Sequence, residues 1–383
     1  VKRATWRPTR VAGLALLGAV ALTVAACGPG GVDGDSGNDD TAATGGGADE
    51  TSELSGAIAG SGASSQENAQ LGWVAGFTEA NPGVTVSYDP TGSSTGREQF
   101  LNGAVQFAGT DSPLKPEELE AAQERCGDGE ALELPLYISP IAVVYNLPEV
   151  DAEHVNLTPE ALAGIFAGEI TRWDDPAITE ANEGVELPDL AITPVNRSDG
   201  SGTTENFTEY LAAVAPDVWT HEPSDTWPIE GTVSGAQTQG MIDTVSSQEG
   251  AIGYADASRA GDLGTAAIGV GEEFVPYSAE AAAAVVDASP PTEDASDLRL
   301  TIELARDTTE SGTYPIVLIS YLVACSTYES EADAANVAAY LSYVASEEGQ
   351  ERAAQPDVAG SAPISDTLRE QVDAAIEQIT AAG

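Results

Sequence analysis

Positive charge is what this chain is short of. Its 383 residues hold 14 lysines and arginines against 62 aspartates and glutamates, a formal net charge of −48. Four of the cations, Lys2, Arg3, Arg7 and Arg10, lie in the first ten residues, where there is no acid. Without residues 1–26 the count is 10 (14 − 4) against 62, a net of −52. Lys115 is then the sole lysine. Such a balance repels phosphodiester backbones and anionic lipid surfaces, which excludes nucleic acid as a partner. A small anion must be held here by local hydrogen bonds, because long-range attraction works against it. The acids are scattered through helices and loops, which reads as a solubilising surface. Histidine is scarcer still, with only His154 and His221, and the cysteines are Cys27, Cys126 and Cys325. These have no metal-ligand spacing, so neither a metal nor another cofactor is expected. No G-x-x-x-x-G-K-[ST] stretch exists, which excludes a P-loop nucleotide site. No apolar run reaches the ~20 residues that a spanning helix needs.

What is present begins with a basic segment followed by small and apolar residues from Val11 to Ala26. A basic start, a short apolar stretch and small residues before a cut site read as a secretory signal, residues 1–26. Val24-Ala25-Ala26-Cys27 resembles the lipobox of bacterial lipoproteins, which implies a lipid on Cys27 and an anchor on the extracytoplasmic face of the cell membrane. A plain secreted protein is the alternative. Residues 27–53 are rich in Gly, Asp, Thr and Ala, lack aromatics, and read as an acidic tether. Cys126 and Cys325 remain as an even pair in an exported chain. Joined, they would close a loop of about 200 residues, worth about 5 kcal/mol on chain entropy. Two free thiols are the other reading.

The remaining ~330 residues exceed one typical core, so two domains are expected. One local pattern recurs three times: a short apolar strand, a Gly/Ser/Thr loop, then a helical period. The first runs through Ser55–Ala59, the loop Gly60–Gln66, and a helix expected to bury Leu71, Trp73, Val74 and Phe77. The second has a strand at Val84–Tyr88, the loop Thr91–Arg97, and Phe100, Leu101 and Val105 beyond it. The third has Leu190–Val195, then Asn196-Arg197-Ser198-Asp199-Gly200-Ser201-Gly202-Thr203-Thr204, then Phe207, Tyr210 and Leu211 on one helix face. A helix start offers unpaired N–H groups and the positive end of a dipole. Glycine lets the backbone approach a ligand, hydroxyls donate, and arginine presents a rigid fork to an oxyanion. The third stretch is therefore a candidate site for a small tetrahedral anion. Phe107–Leu114 is a short strand ending in Asp111. Leu132–Leu147 reads as two strands broken at Pro140, and Tyr314–Val323 as a buried strand. Strand–helix alternation of this kind indicates an α/β sheet, with ligands at the carboxyl ends of its strands.

Taken together, GSGASS at 60–65, GSSTG at 92–96, FAGTDSPL at 107–114 and RSDGSGTT at 197–204 resemble the phosphate-binding proteins of bacterial high-affinity phosphate ABC transporters. IFAGEITRWDDPAI at 165–178, EGAIGY at 249–254 and TYPIVLISYLVAC at 313–325 add to the likeness, which runs in order through residues 54–383. It implies a two-lobed, periplasmic-binding-protein-like clamp. Each lobe would be a mixed sheet flanked by helices, with the ligand in the cleft between. The lobes would comprise residues 54–138 with 313–383, and residues 139–312. Carried over by position, the phosphate ligands fall on Ser64, Ser65, Ser93, Asp111, Arg197, Ser201, Gly202 and Thr203. The family often has Thr-Phe where this chain has Ser64-Ser65. The hydroxyl and N–H survive that change, whereas the aromatic wall against water does not. The resemblance further implies a monomer that binds inorganic phosphate and delivers it to the transporter's permease subunits.

Asp111 is the informative member of that set, because a carboxylate beside an anion is repulsive unless the ligand brings a proton. Phosphate does near neutral pH and sulfate does not, so Asp111 selects by repelling the wrong anion. Arsenate shares phosphate's protons and shape. Asp199 is placed either to orient Arg197 or simply at the surface. Three other readings compete: a binder of another oxyanion, a phosphate-ester hydrolase on the same scaffold, and an adhesion or signalling protein. Gly92-Ser93-Ser94-Thr95-Gly96 fits the G-x-S-x-G pattern of a hydrolase elbow. Neither histidine sits in a loop suited to a triad, so no catalytic residue is expected.

Overall fold

A single fifteen-residue strand, Ala131–Tyr145, carries two prolines and is buried at every position. The break expected at Pro140 does not occur, and the reason lies in its neighbours. Residues 131–140 pair with one antiparallel strand and residues 141–145 with another, so Pro140 sits where the partner changes. Ile141, not Pro140, supplies the amide that bonds Ile316 O, at 2.7 Å. Pro135 lies at a register shift, opposite Tyr321. A missing N–H is tolerated at such places.

The computed structural model describes residues 54–383. The expected signal segment, Cys27 and the tether lie outside them. In chain order the elements are β1 Gly56–Gly62, α1 Glu67–Ala80, β2 Val84–Asp89, α2 Ser93–Leu101, β3 Phe107–Thr110, α3 Pro116–Cys126 and β4 Ala131–Tyr145. There follow β5 His154–Leu157, α4 Pro159–Phe166, α5 Pro176–Thr179, β6 Thr193–Arg197, α6 Gly202–Val214, β7 Val233–Gly235, α7 Gln237–Ser247 and β8 Ala251–Asp256. The last are β9 Gly264–Val270, β10 Glu273–Val275, α8 Ala279–Asp287, β11 Val317–Cys325, β12 Thr327–Tyr328, α9 Glu331–Ala345, α10 Glu347–Ala354, α11 Asp366–Ile376 and β13 Thr380–Ala381. None of the described helices is long and apolar enough to cross a membrane.

β4 joins two half-sheets into the order β2-β1-β3-β11-β4-β8-β6-β7. In the first half β1 is parallel to β2 and β3, and β11 runs antiparallel to β3 and β4. In the second half β8 and β9 are antiparallel to β4, β6 is parallel to β7 and β8, and β5 to β9. Both halves are thus mixed sheets, and the α/β expectation holds. β4 and β11 are covered on both faces, which is why they read as unbroken apolar runs. Helices α1 and α9 cover the first half and α7 the second, and α8 packs on β4 and β11, where the halves join.

Leu71 departs from expectation: it is 65% exposed. The buried face of α1 is set by Ala69, Gln70, Trp73, Gly76 and Phe77. That spacing of three and four residues leaves position 71 outside the apolar stripe. Cys126 and Cys325 are joined, tying the end of α3 to the end of β11. The run before β11 lies on the first half: Glu133 N bonds Leu298 O, Leu300 N bonds Glu133 O, and Arg299 pairs with the Glu133 carboxylate.

Candidate anion-binding site

Each Gly/Ser/Thr loop runs straight into a helix. The first forms a 3-10 turn, Ser64–Gln66, ahead of α1; the second is itself the first turn of α2; the third ends at Ser201, which caps α6. The Ser201 hydroxyl accepts from Thr204 N at 3.2 Å, a cap worth about 1 kcal/mol. Arg197 is the last residue of β6, where strand hands over to helix. All three helix starts belong to strands β1, β2 and β6, and their loops meet between the two half-sheets.

Asp111 sits where they meet, at the end of β3 and 3% exposed. Its Oδ1 accepts from Ser65 Oγ at 2.6 Å and from Ser320 Oγ at 2.5 Å. Its Oδ2 accepts from Thr203 Oγ1 at 2.8 Å. Asp111 N donates to Ser93 Oγ at 3.2 Å, and Asn206 Nδ2 to Asp111 O at 2.7 Å. Burial pushes the Asp111 carboxyl above its ordinary range, against the pull of Ser320, Ser65, Thr203 and the Arg197 charge. Gly202 packs so closely that a Cβ there would lie 2.6 Å from Asp111 Cβ and 2.8 Å from Ser93 Oγ.

Arg197 is 3% exposed and gripped by Asp199. Nε donates to Asp199 Oδ1 at 2.9 Å, and Nη2 bonds Oδ2. Gln237 N also donates to Asp199 Oδ1, at 2.8 Å. Burial raises the Asp199 carboxyl, but the Arg197 bond and charge and the Gln237 amide outweigh it and hold the carboxyl below its ordinary range. Of the two sequence readings of Asp199, orientation of Arg197 is the one the geometry supports. Ser64 Oγ pairs with Thr238 Oγ1 at 2.9 Å and accepts from Thr238 N at 3.1 Å, which joins the first loop to α7.

Of the eight positions read from sequence, Ser65, Ser93, Asp111, Gly202 and Thr203 thus come into direct mutual contact. Arg197 stands near enough for its charge to act on Asp111. Ser64 is turned to Thr238, and the Ser201 hydroxyl is spent on its cap. Sequence reasoning missed Ser320, Thr238 and Asn206. Ser320 had a signal, being one hydroxyl inside the apolar run Ile316–Val323. Thr238 also had one, since Val233-Ser234-Gly235-Ala236-Gln237-Thr238 repeats the strand–small-residue–helix pattern. Asn206 had none beyond its place one turn into α6.

The arrangement is a ring of hydroxyl and N–H donors with one arginine and one carboxylate. Beside it lies a cavity of about 660 Å³ lined in part by Asp111, Asn206, Arg306 and Tyr321. Among the described residues no histidine hydrogen-bonds Ser94, the serine of the elbow pattern, whose hydroxyl donates to Asp225; His154 contacts Thr265, and His221 packs edge-on against Trp219. No group of three or more metal-ligating side chains is present among the described residues.

Known proteins resemble this chain in sequence and in fold. A family model described as a PBP superfamily domain matches residues 41–348. The chain is 33% identical over 326 residues to the phosphate-binding protein PstS2 of Mycobacterium bovis, spanning 84% of this chain and 86% of that protein. It is 34% identical over 343 residues to phosphate-binding protein PstS 3 of Mycobacterium tuberculosis, spanning 86% and 89%. Among solved structures, a periplasmic phosphate-binding protein, PfluDING, bound with phosphate, superposes with a TM-score of 0.67 at 21% identity. That match covers 83% of this chain and 93% of PfluDING. A phosphate-binding protein from Stenotrophomonas maltophilia gives 0.65 at 22%, covering 84% and 94%. At such identities these two establish the fold. The sequence relatives and the family model establish more: this chain belongs to the phosphate-binding proteins of the PBP superfamily, a family of binding proteins and not of enzymes.

Proposed function

We propose that this chain captures inorganic phosphate between its two half-sheets and delivers it to the permease of a phosphate ABC importer. The observation that carries this reading is Asp111, a buried carboxylate set among hydroxyl donors within reach of the Arg197 charge. A bare donor ring would take any tetrahedral oxyanion. A carboxylate in that ring accepts a hydrogen bond from an anion that still carries a proton and repels one that does not. Arg197 would meet the developing charge balance with its Nη1, since Asp199 takes Nε and Nη2. The Gly202 and Ser65 amides and the Ser64, Ser93, Ser201 and Thr203 hydroxyls would complete the cage, with Ser201 and Ser64 exchanging their present partners for phosphate oxygens.

One lobe in this reading is residues 54–138 with 313–383, joined by residues 298–300, which pair with Glu133, and the other is the rest of residues 139–312. β4 and the run before β11 are the two crossings about which the lobes open and close. Cys27 would carry the lipid that holds a monomer at the outer face of the cell membrane. Titration calorimetry against phosphate, arsenate and sulfate tests the ligand. Phosphate should bind with heat and sulfate should not compete. Sulfate binding as tightly as phosphate would sink the role of Asp111. Mass spectrometry of the membrane-extracted protein, looking for a diacylglyceryl mass on Cys27, tests the anchor.

A further inference from the structure

The sole lysine beyond the first 26 residues lies at the cleft, not on an open surface. Lys115 Nζ reaches Asp225 Oδ2 at 2.7 Å. The same oxygen accepts from Ser94 Oγ at 2.9 Å and from Arg97 Nη2 at 3.3 Å. Ser94 and Arg97 are on α2 and Lys115 caps α3, all in the first half; Asp225 is on the loop between α6 and β7, in the second. Three donors from one half therefore converge on one carboxylate oxygen of the other.

The surroundings distinguish this from a casual surface pair. Arg97 is 1% exposed, Asp225 16% and Lys115 32%. An ion pair between exposed groups contributes little, whereas one partly shielded from water keeps more of its attraction. Arg97 also has a partner of its own half: Glu118 bonds its Nε at 3.0 Å. When Asp225 withdraws, Arg97 keeps a carboxylate and Lys115 turns to solvent, so the separated state leaves no stranded buried charge. The contact is built to be made and broken.

It also touches both ligand loops. Ser94 follows Ser93 directly, and Asp225 O accepts from Ser201 N at 2.8 Å. Asp225 thus fastens its side chain to the loop carrying Ser93 and its backbone to the loop carrying Ser201.

We propose that Asp225, with Ser94, Arg97 and Lys115, is an ionic latch that holds the two halves closed and sets how fast phosphate leaves. This rests on the phosphate-binding reading above. The latch touches no ligand; it acts by stabilising the closed form, so its loss appears in release and not in capture.

The test is stopped-flow release of phosphate from Asp225→Asn and, separately, Lys115→Ala, with calorimetry on the same samples. A charge-pair coupling near 1.5 kcal/mol predicts release about tenfold faster in Asp225→Asn, with capture nearly unchanged. Lys115→Ala should show a smaller increase, and the double variant should fall short of the product of the two, because they share one contact. Raising salt from about 0.05 to about 0.5 M should speed release from the native protein and leave Asp225→Asn nearly flat. Release unchanged in both variants overturns the latch. So does a lowered melting temperature with unchanged release, which would make Asp225 a folding residue only. Should Asp225→Asn fail to fold, Lys115→Ala and the salt series decide. If the native protein shows no phosphate binding, the parent reading fails instead. The latch then stands or falls on small-angle scattering, where Asp225→Asn should be more open than the native chain.

Discussion

Thr203 donates its hydroxyl hydrogen bond to Asp111 across the cleft, at 2.8 Å. Thr203 lies in the first turn of α6 in the second half-sheet, and Asp111 directly follows β3 in the first. The pair crosses between the halves, whereas the other hydroxyl donors to the Asp111 carboxylate, Ser65 and Ser320, belong to its own half.

Asp111→Asn is the most direct probe of that arrangement. A hydrogen bond to a charged group is worth roughly 1.5–3 kcal/mol, so phosphate affinity should fall roughly 10- to 100-fold. The amide no longer repels a fully deprotonated anion, so sulfate binding should rise. Calorimetry with both anions checks it. Equal losses for the two would mean that the variant merely loosens the cleft.

Gly202→Ala adds one methyl where Asp111 Cβ and Ser93 Oγ stand 2.6 and 2.8 Å away. Ser93 Oγ can rotate away, but Asp111 Cβ and its Cα, at 3.0 Å, move only with the backbone. The methyl should wedge the halves apart and abolish measurable phosphate binding, while the melting temperature of the ligand-free protein moves by only a few degrees, as a loss of about 1 kcal/mol implies. Retained affinity would show that the cleft closes differently.

Asp256 gives a pH signature separate from the ligand. It is fully buried at the end of β8, beside the point where β4 changes partners. It accepts from Tyr137 Oη at 3.0 Å and Ser258 N at 3.0 Å. Burial pushes its carboxyl up to about 6, against the hydrogen bonds of Ser258, Ser139 and Tyr137. In the unfolded chain the group titrates near 3.9. Between those values the native state holds more proton than the unfolded one, so its contribution is present below about pH 4 and lost as pH rises through about 6. The difference is about 3 kcal/mol. Asp256→Asn should remove that slope. Urea unfolding of both proteins at several pH values measures it, and parallel curves would place the Asp256 carboxyl in the ordinary range.

The disulfide closes a loop with a sequence separation of 199. Replacing both Cys126 and Cys325 with serine should lower stability by up to about 5 kcal/mol on chain entropy. Both cysteines belong to the first half, so it should leave phosphate affinity within about threefold of native, a difference under 1 kcal/mol. A large fall in affinity in a still-folded variant would tie the disulfide to closure.

Much of this protein is decided by local chemistry and so can be read along the chain. Glycine, serine and threonine before an amphipathic period make a helix start with free donors wherever they occur. That is why the loop at 196–204 could be named as an anion cradle with Arg197 as its charged member, whereas Asp111 and the ligand roles of the loops at 60–66 and 91–97 came from the family resemblance. The α/β class followed from the same alternation. Other features depend on what lies opposite, and no local pattern records that. Pro140 breaks a strand by every local rule, yet the strand continues because its partner changes at that residue. Leu71 belongs to an apolar set by type and faces water by rotation about α1. The role of Asp199 was open until Arg197 Nε was seen on it at 2.9 Å. Ser320 is one buried hydroxyl among apolar neighbours, and only the pairing of β11 with β3 brings it to Asp111. The meeting of Lys115 with Asp225 joins residues 110 positions apart, from opposite halves. Composition established that lysine is rare here. Tertiary structure alone put the one that remains where the two halves touch.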